Sequence, residues 1–307
     1  MFDQLIWPLL LVFAALGIGT YLLAVLEGLA VRGLGIPQAQ SVWLSPLSRG
    51  AWLFTQQANV TEAPDWWAWR LAPALYLSLA AIGLALVPWS QGLVATDIAT
   101  SLVLWGSVEA LATVVIFLQG WSANTLLALV GAYRYVALGL SYILISMFVL
   151  IGVALPAESL ALTRVVASQQ ELWNVLRQPL GLPLFLIVGL AITFRGPFNL
   201  ADSTDLAGGT SADVSGPRRL VWEFARGAML VAFSGIAATA FLGGWLGPWL
   251  PGPLWVALKM LAVLVLLVWL GQHFARITPE RCVTLMWVVL LPLSFIDLVW
   301  AGVEALL

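Results

Sequence analysis

Eight stretches of this chain run for about 20 residues or more with few charges. They lie at about 5–31, 69–88, 94–119, 125–155, 174–194, 219–245, 253–274 and 283–305. This pattern constrains the fold more than any motif does. A helix needs about 20 apolar residues to cross the hydrocarbon core of a bilayer, and in lipid every backbone polar group must be satisfied within the structure. The expected fold is therefore an all-α membrane protein with eight transmembrane helices. Residues 1–307 are expected to form a single polytopic membrane domain. Composition points the same way, with 9% of residues charged where a soluble domain has about a quarter. The first stretch follows the acidic Asp3 and outlasts the roughly 7–15 apolar residues of a signal-peptide core. It is expected to be the first span.

Between the first two spans lies SVWLSPLSRGAWLFTQQ, residues 41–57. Its apolar residues, among them Val42, Trp43, Leu47, Trp52 and Phe54, recur at helical spacing around Ser48, Arg49 and Gln56. That suits a helix lying in the membrane interface, and an ordinary amphipathic connector has the same pattern. With eight spans, one side of the membrane receives Arg32, Arg49, Arg70, Arg195, Arg218, Arg219, Arg276 and Arg281. The other receives Arg164, with Arg177 and Lys259 near its span ends. Basic residues mark the cytoplasmic side, so both termini are expected on the non-cytoplasmic side, in a bacterial inner membrane. Seventeen tryptophans are many for this length. Trp7, Trp66, Trp67, Trp89, Trp121, Trp245 and Trp249 sit at span ends, where indole rings anchor at headgroup depth.

Several function classes are disfavoured. Cys282 and His273 are each the only residue of their type, which argues against a disulfide, a thiolate cage or a histidine-ligated metal or haem. A net charge of −2 gives no reason to expect a nucleic-acid partner. GLGIP (33–37) lacks the spacing of a phosphate-cradling loop, and no activated-nucleophile motif stands out. No catalytic residue, covalent cofactor or metal site is expected.

An ionisable group inside a span is costly and is by default a functional candidate. The candidates are Glu27, Asp97, Glu109, Arg134, Glu223, Arg226, Lys259 and Asp297. Arg134 and Glu109 lie at comparable depth and are expected to be able to pair. Glu223 and Arg226, three apart on one helix, are expected to be able to neutralise each other. Two readings stay open for such groups. They are either satisfied pairs holding helices together or, with Tyr142, a hydrated polar line within the bundle. One polar loop interrupts the apolar chain, FRGPFNLADSTDLAGGTSADVSGPRR at 194–219. It opens at Arg195, holds Asp202, Asp205 and Asp213, and closes at Arg218 and Arg219.

The order and wording of the segments GWSANTLLALVGAYR (120–134), SY (141–142), WNVLRQPLG (173–181), RGPFNL (195–200), SGPRR (215–219), FLGGW (241–245) and LLPL (290–293) resemble the quinone-site membrane subunit of respiratory complex I. This is the NADH dehydrogenase subunit 1, or NADH-quinone oxidoreductase H-subunit, family. The resemblance covers nearly the whole chain. It implies eight tilted helices with one in-plane helix after the first. It also implies a bilayer-open quinone cavity under a hydrophilic arm, with quinone as substrate and iron–sulfur clusters only in partner subunits. The implied cavity residues are Glu27, Arg32, Trp43, Arg49, Trp52, Phe198 and Asn199. The implied docking loop for the hydrophilic iron–sulfur and quinone-site subunits carries Arg195, Asp202, Asp205, Arg218 and Arg219. Other membrane subunits and lipid would complete the set of partners.

The chain departs from the family mainly at charged positions. Gly28 and Leu29 stand where the family has two bases after the acid kept as Glu27. Arg49 and Trp52 stand where it has an acid and a lysine. Ile143, Ile192 and Phe194 replace glutamates, Asn199 replaces an aspartate, and Arg226 aligns with a glutamate. The resemblance thus implies a degenerate carboxylate relay, cut or rerouted through Glu109, Glu223 and nearby arginines. Three readings follow. One is the membrane subunit of a complex I-like oxidoreductase coupled to proton translocation, a non-redox subunit without catalysis alone. A second is a subunit of an energy-converting hydrogenase-like complex without quinone. A third is a structural scaffold between a soluble module and ion-translocating subunits. An independent transporter fits less well, because such proteins commonly show paired halves with broken helices.

Overall fold

The computed structural model describes residues 2–36, 41–204 and 206–306, with side chains from residue 8 onward. Asp205 and the Trp7 side chain therefore lie outside the described residues. The elements are α1 (Phe2–Gly33), α2 (Ser45–Thr55), α3 (Trp66–Ala85), α4 (Ser101–Ser122), α5 (Leu126–Ala154), α6 (Leu162–Ser168), α7 (Asn174–Arg177) and α8 (Gly181–Ile192). After a 3-10 turn at Asn199–Asp202 come α9 (Gly216–Phe241) and α10 (Gly252–His273). The last apolar helix is built from α11 (Pro279–Leu285) and α12 (Leu291–Glu304), continuous through a π turn at Met286–Leu290.

Among the described residues seven helices are long and apolar enough to cross a membrane: α1 from Pro8 onward, α3, α4, α5, α9, α10 and the Pro279–Glu304 helix. The chain is an integral, multi-pass membrane protein. The fifth expected span differs from the expectation. Residues 174–194 form the four-residue α7 and the twelve-residue α8. At 1.5 Å per residue, α8 is about 18 Å long, well short of a roughly 30 Å hydrocarbon core. The interruption has a local cause. Gln178 precedes Pro179 and is held at φ −129°, ψ 74°, because proline excludes the α conformation from the residue before it.

Side-chain amides satisfy the irregular backbone around that break. Gln169 donates to Thr239 O at 2.9 Å and accepts from the backbone N–H of Asn174 and Gly243. Asn174 donates to Ala240 O at 2.9 Å, and Gln178 donates to Val149 O and to Asp297. Non-helical backbone survives at membrane depth where protein partners supply its hydrogen bonds.

α9 is the centre of the bundle, with 89% of its most apolar window buried. It packs on α1, α2, α3, α8 and α10. Its Gly227, Ala228, Ala232, Ser234, Gly235, Ala237 and Ala238 are all buried. Small residues let helix backbones approach closely where lipid offers no hydrophobic drive for association.

The third expected span is shorter than its hydropathy suggests. α4 begins at Ser101, so Asp97 lies in the preceding turn. It is exposed, accepts a hydrogen bond from Thr163 at 3.2 Å, and is no part of an intrahelical polar line. Lys259 is buried but satisfied. It donates to Gly244 O and Leu246 O at 2.8 Å each and sits 4.5 Å from the Trp173 ring centre.

Candidate functional site

One large cavity, about 760 Å³, lies among α1, α2, α9, α10 and the loop after α8. Ligand pockets are typically about 300–1,000 Å³. On α1 the lining residues Gly17, Thr20, Ala24, Glu27 and Val31 recur every three or four positions, which places them on one helix face. α2 contributes Arg49, Gly50 and Leu53, α9 contributes Arg219, Glu223 and Arg226, and α10 contributes Val268 and Gly271. The two walls nearest the N-terminus are tied together. Tyr21 on α1 donates its hydroxyl to Trp43 O, just before α2, at 2.7 Å.

Charge in the lining is organised as ion pairs. Arg195 pairs with Glu27, and Arg226 pairs with Asp202. Glu223 takes two arginines, Arg49 from α2 and Arg219 from its own helix, each at 2.9 Å. Arg276 also lines the cavity, so among the described residues five arginines and three carboxylates face it. Three further polar atoms of the lining, Arg195 Nε, Asn199 Oδ1 and Arg226 Nε, are buried without a hydrogen-bond partner among the described residues.

The loop after α8 is shaped by two local features. α8 ends in a Schellman pattern, with Arg195 N–H bonded to Leu190 O and Phe194 N–H to Ala191 O. Phe194 takes the left-handed position, φ 56°, which normally favours glycine. Its ring is fixed there against Tyr135, at 4.6 Å between centres, and under the Arg226 guanidinium at 5.2 Å. Further on, the loop lies directly on α5. A Cβ on Gly131 would stand 2.4 Å from Gly209 Cα, so only glycine lets the two backbones meet.

Several expected arrangements differ in the structure. Glu109 and Arg134 are not paired. Glu109 accepts from Trp105 Nε1 at 2.7 Å on its own helix, while Arg134 donates to the carbonyls of Ala207 and Gly208. The loop carbonyls reach Arg134 first. Glu223 and Arg226 do not neutralise each other, because each has a nearer partner from another segment. Of the residues implied for the cavity, Glu27, Arg49 and Asn199 line it. Trp43 and Trp52 turn outward, 61% and 60% exposed, and Arg32 is exposed and off the lining. Phe198 is buried beside a separate gap of about 10 Å³ with Arg134 and Cys282, room for no more than about one water.

Much of the charged loop is folded onto the chain itself. Arg195, Asp202 and Arg219 turn onto the chain's own side chains, and Asp213 accepts from Thr125. Arg218 lies over the rings of Trp66 and Trp69. Leu206 in the loop is 93% exposed. Sequence reading did not pick out Tyr21 or Arg276 for the cavity. The α1 spacing that holds Glu27 was the available signal for Tyr21, whereas Arg276 counted only as a loop charge.

From the cavity a buried polar line leads into the bundle. Trp222 donates toward Asp202 at 3.4 Å and packs on the Tyr76 ring. Tyr76 and Tyr135 both donate to Ile192 O, at 2.7 Å and 3.3 Å. The hydroxyls of Tyr135 and Tyr142 are 3.0 Å apart, and Tyr142 reaches Thr113 at 3.2 Å. Thr113 stands one helical turn from Glu109, which is fully buried with one carboxylate oxygen unpartnered among the described residues.

Residues 8–302 match the NADH dehydrogenase family. The chain is 33% identical over 257 residues to the NADH-quinone oxidoreductase H subunit of Geobacillus kaustophilus, covering 82% of this chain and 77% of that relative. It is 31% identical over 252 residues to the first of the numbered H subunits of Rhodopseudomonas palustris strain BisB5, covering 82% and 79%. Over 272 residues it is 30% identical to the second of the numbered H subunits of Rhizobium meliloti, covering 85% and 83%. With the match running along almost the whole helical bundle, this chain belongs to the NADH dehydrogenase subunit 1, or NADH-quinone oxidoreductase H-subunit, family.

Proposed function

We propose that this chain is the membrane subunit of a complex I-like oxidoreductase, and that the cavity among α1, α2, α9 and α10 receives a quinone. The observation that carries this reading is a cavity of about 760 Å³ with two kinds of wall. Leu23, Leu53, Phe224 and Val268 supply apolar surface for a ring and tail. Arg195 and Arg226 hold unpartnered Nε–H donors suited to quinone ring oxygens, and the unpartnered Asn199 Oδ1 is suited to accept from a quinol hydroxyl. Pockets that orient a largely apolar ligand use a few polar groups in this way. Glu27, Arg49 and Asn199 keep their expected place in the reading. Trp43 and Trp52, with Leu44, Leu47 and Phe54, form an exposed apolar side of the α2 region, suited to the membrane interface.

Reduction of a quinone to a quinol takes two electrons and two protons. The residues of this chain supply no redox couple for the electrons, which would come from iron–sulfur subunits docked on the cytoplasmic side. What the chain supplies is a shaped site and a field. Charge appearing on the quinone acts on Arg195 and Arg226, whose partners are Glu27 and Asp202. Asp202 in turn begins the polar line through Trp222, Tyr76, Tyr135, Tyr142 and Thr113. In our reading this hydroxyl line, ending at Glu109, takes over where the family's carboxylates are missing, and Glu223 serves the cavity wall. The sidedness reading draws support from clustering. Arg49, Arg195, Arg219 and Arg276, assigned to one side by sequence, gather around one cavity.

The test is electron transfer in the assembly purified with this chain, from NADH to a short-chain quinone. Ala24→Trp, which places an indole in the cavity, should raise KM for quinone at least roughly ten-fold while leaving reduction of a water-soluble acceptor by the hydrophilic arm unchanged. Unchanged quinone kinetics in a folded Ala24→Trp assembly would refute the site. Co-purification with a subunit carrying nickel–iron ligand cysteines, and no quinone reduction, would favour the hydrogenase-like reading.

A further inference from the structure

A second arrangement of charge lies outside the cavity, where the N-terminal ends of α3 and α9 meet. The Arg218 guanidinium carbon is 4.2 Å from the Trp69 ring centre and 5.1 Å from that of Trp66. Arg70, one turn on from Trp66, lies 5.5 Å from the same Trp66 ring centre. Two guanidinium groups thus share one indole.

Their electrostatic situation is unlike that of the cavity arginines. Arg49, Arg195, Arg219 and Arg226 each have a carboxylate partner. Among the described residues neither Arg70 nor Arg218 makes an ion pair, and Arg218 Nη1 is buried with no hydrogen-bond partner. The acids nearest in sequence do not fill the role. The Asp65 carboxylate accepts from the N–H of Ala68 at 3.3 Å as a helix cap, and Glu62 is exposed. Cation–π contact stabilises each arginine, but two like charges at one ring repel, more so where one is partly shielded from water. An anion offsets that repulsion.

Depth says which anion. Trp66 is the first residue of an apolar span of 20 residues, and Trp66 and Trp67 are 42% and 87% exposed. Tryptophans at span ends sit at the level of the headgroups, so the anion at this depth is a headgroup phosphate. We infer that Arg70 and Arg218, flanked by Trp66 and Trp67, form a binding site for the phosphate of an anionic phospholipid. The site is separate from the cavity and does not depend on the quinone reading.

Native mass spectrometry tests it on the full-length chain, purified from membranes with whatever subunits accompany it. The probes are phosphatidylglycerol, phosphatidylcholine and inorganic phosphate. The parent should retain one phosphatidylglycerol more than R70Q/R218Q. Affinity for that lipid should fall roughly five-fold in R70Q and roughly thirty-fold in the double variant, given the usual worth of one basic residue at an anionic surface. R70K should keep most of the affinity. Phosphatidylcholine should not occupy the site, and inorganic phosphate should not displace the lipid. Equal phosphatidylglycerol retention by the parent and a folded variant overturns the inference. So does equal retention of phosphatidylcholine, or displacement by inorganic phosphate. Arg70 is exposed, so R70Q alone gives the readout if the double variant does not accumulate.

Discussion

Asp202 and Arg226, 24 residues apart, form an ion pair at the edge of the cavity, with the aspartate side chain only 1% exposed. Thr210, Ser211 and Trp222 also donate to the same carboxylate. One buried acid therefore ties the loop after α8 to the central helix and begins the polar line toward Glu109.

Removing one partner should be far worse than removing both. Asp202→Asn is expected to destabilise the protein by roughly 3 kcal/mol or more, because it strands a partly buried cation. Asp202→Asn combined with Arg226→Gln should recover part of that loss. Thermal unfolding of the purified protein in detergent checks both. Equal stability of the single variant and the parent would show that the pair does not hold the loop.

The loop should also depend on its closest backbone contact. Gly131→Ala places a methyl 2.4 Å from Gly209 and Thr210 backbone atoms, an overpacking worth roughly 1–3 kcal/mol. Limited proteolysis should cut between residues 203 and 212 faster in this variant than in the parent. An unchanged cleavage rate would contradict the contact.

Glu223 is shared by Arg49 on α2 and Arg219 on α9. Arg49 is 62% exposed, so the α2 bridge should contribute little to global stability, under about 1 kcal/mol. Its effect should be local. Glu223→Gln is expected to speed hydrogen exchange in residues 45–55 several-fold while leaving the unfolding temperature nearly unchanged. Exchange in α2 at the parental rate would mean that other contacts hold that wall.

These contacts show what was legible in the sequence. Apolar length identified the membrane class and seven long helices, because hydropathy reports directly on burial in lipid. It missed the break at Gln178–Leu180, since the apolar run that follows Pro179 outweighed the polar Arg177 and Gln178 before it and only the proline rule marks the change. Asp97 counted as intramembrane for the converse reason, because Leu93, Val94, Ala95, Ile98 and Ala99 around it extend the apolar run of the helix that follows. The paired charges were chosen by depth and by spacing along one helix. Arg134 and Arg226 went to the loop and Glu223 to Arg49 on α2, partners that no local pattern encodes, while Trp105 and Arg219, one turn along their own helices, took Glu109 and a second bond to Glu223. Glu27, Arg49 and Asn199 were placed through family resemblance, while the outward turn of Trp52 follows from the rotation of α2 and that of Trp43 from the turn before it.

The hydroxyl line makes a separate prediction about coupling. In proteoliposomes carrying the assembly, Glu109→Gln is expected to abolish proton translocation while quinone reduction persists. Tyr142→Phe removes one hydroxyl between Tyr135 and Thr113 and should lower the proton-to-electron ratio. Normal stoichiometry in Glu109→Gln would remove Glu109 from the route.

The most direct measurement is the quinone itself. Solvent extraction and mass spectrometry of the assembly, purified in mild detergent, should find close to one quinone per chain. The same extraction from a folded Ala24→Trp assembly should find almost none. Equal quinone in both preparations, or none in the parent, would contradict the assignment of the α1–α2–α9–α10 cavity.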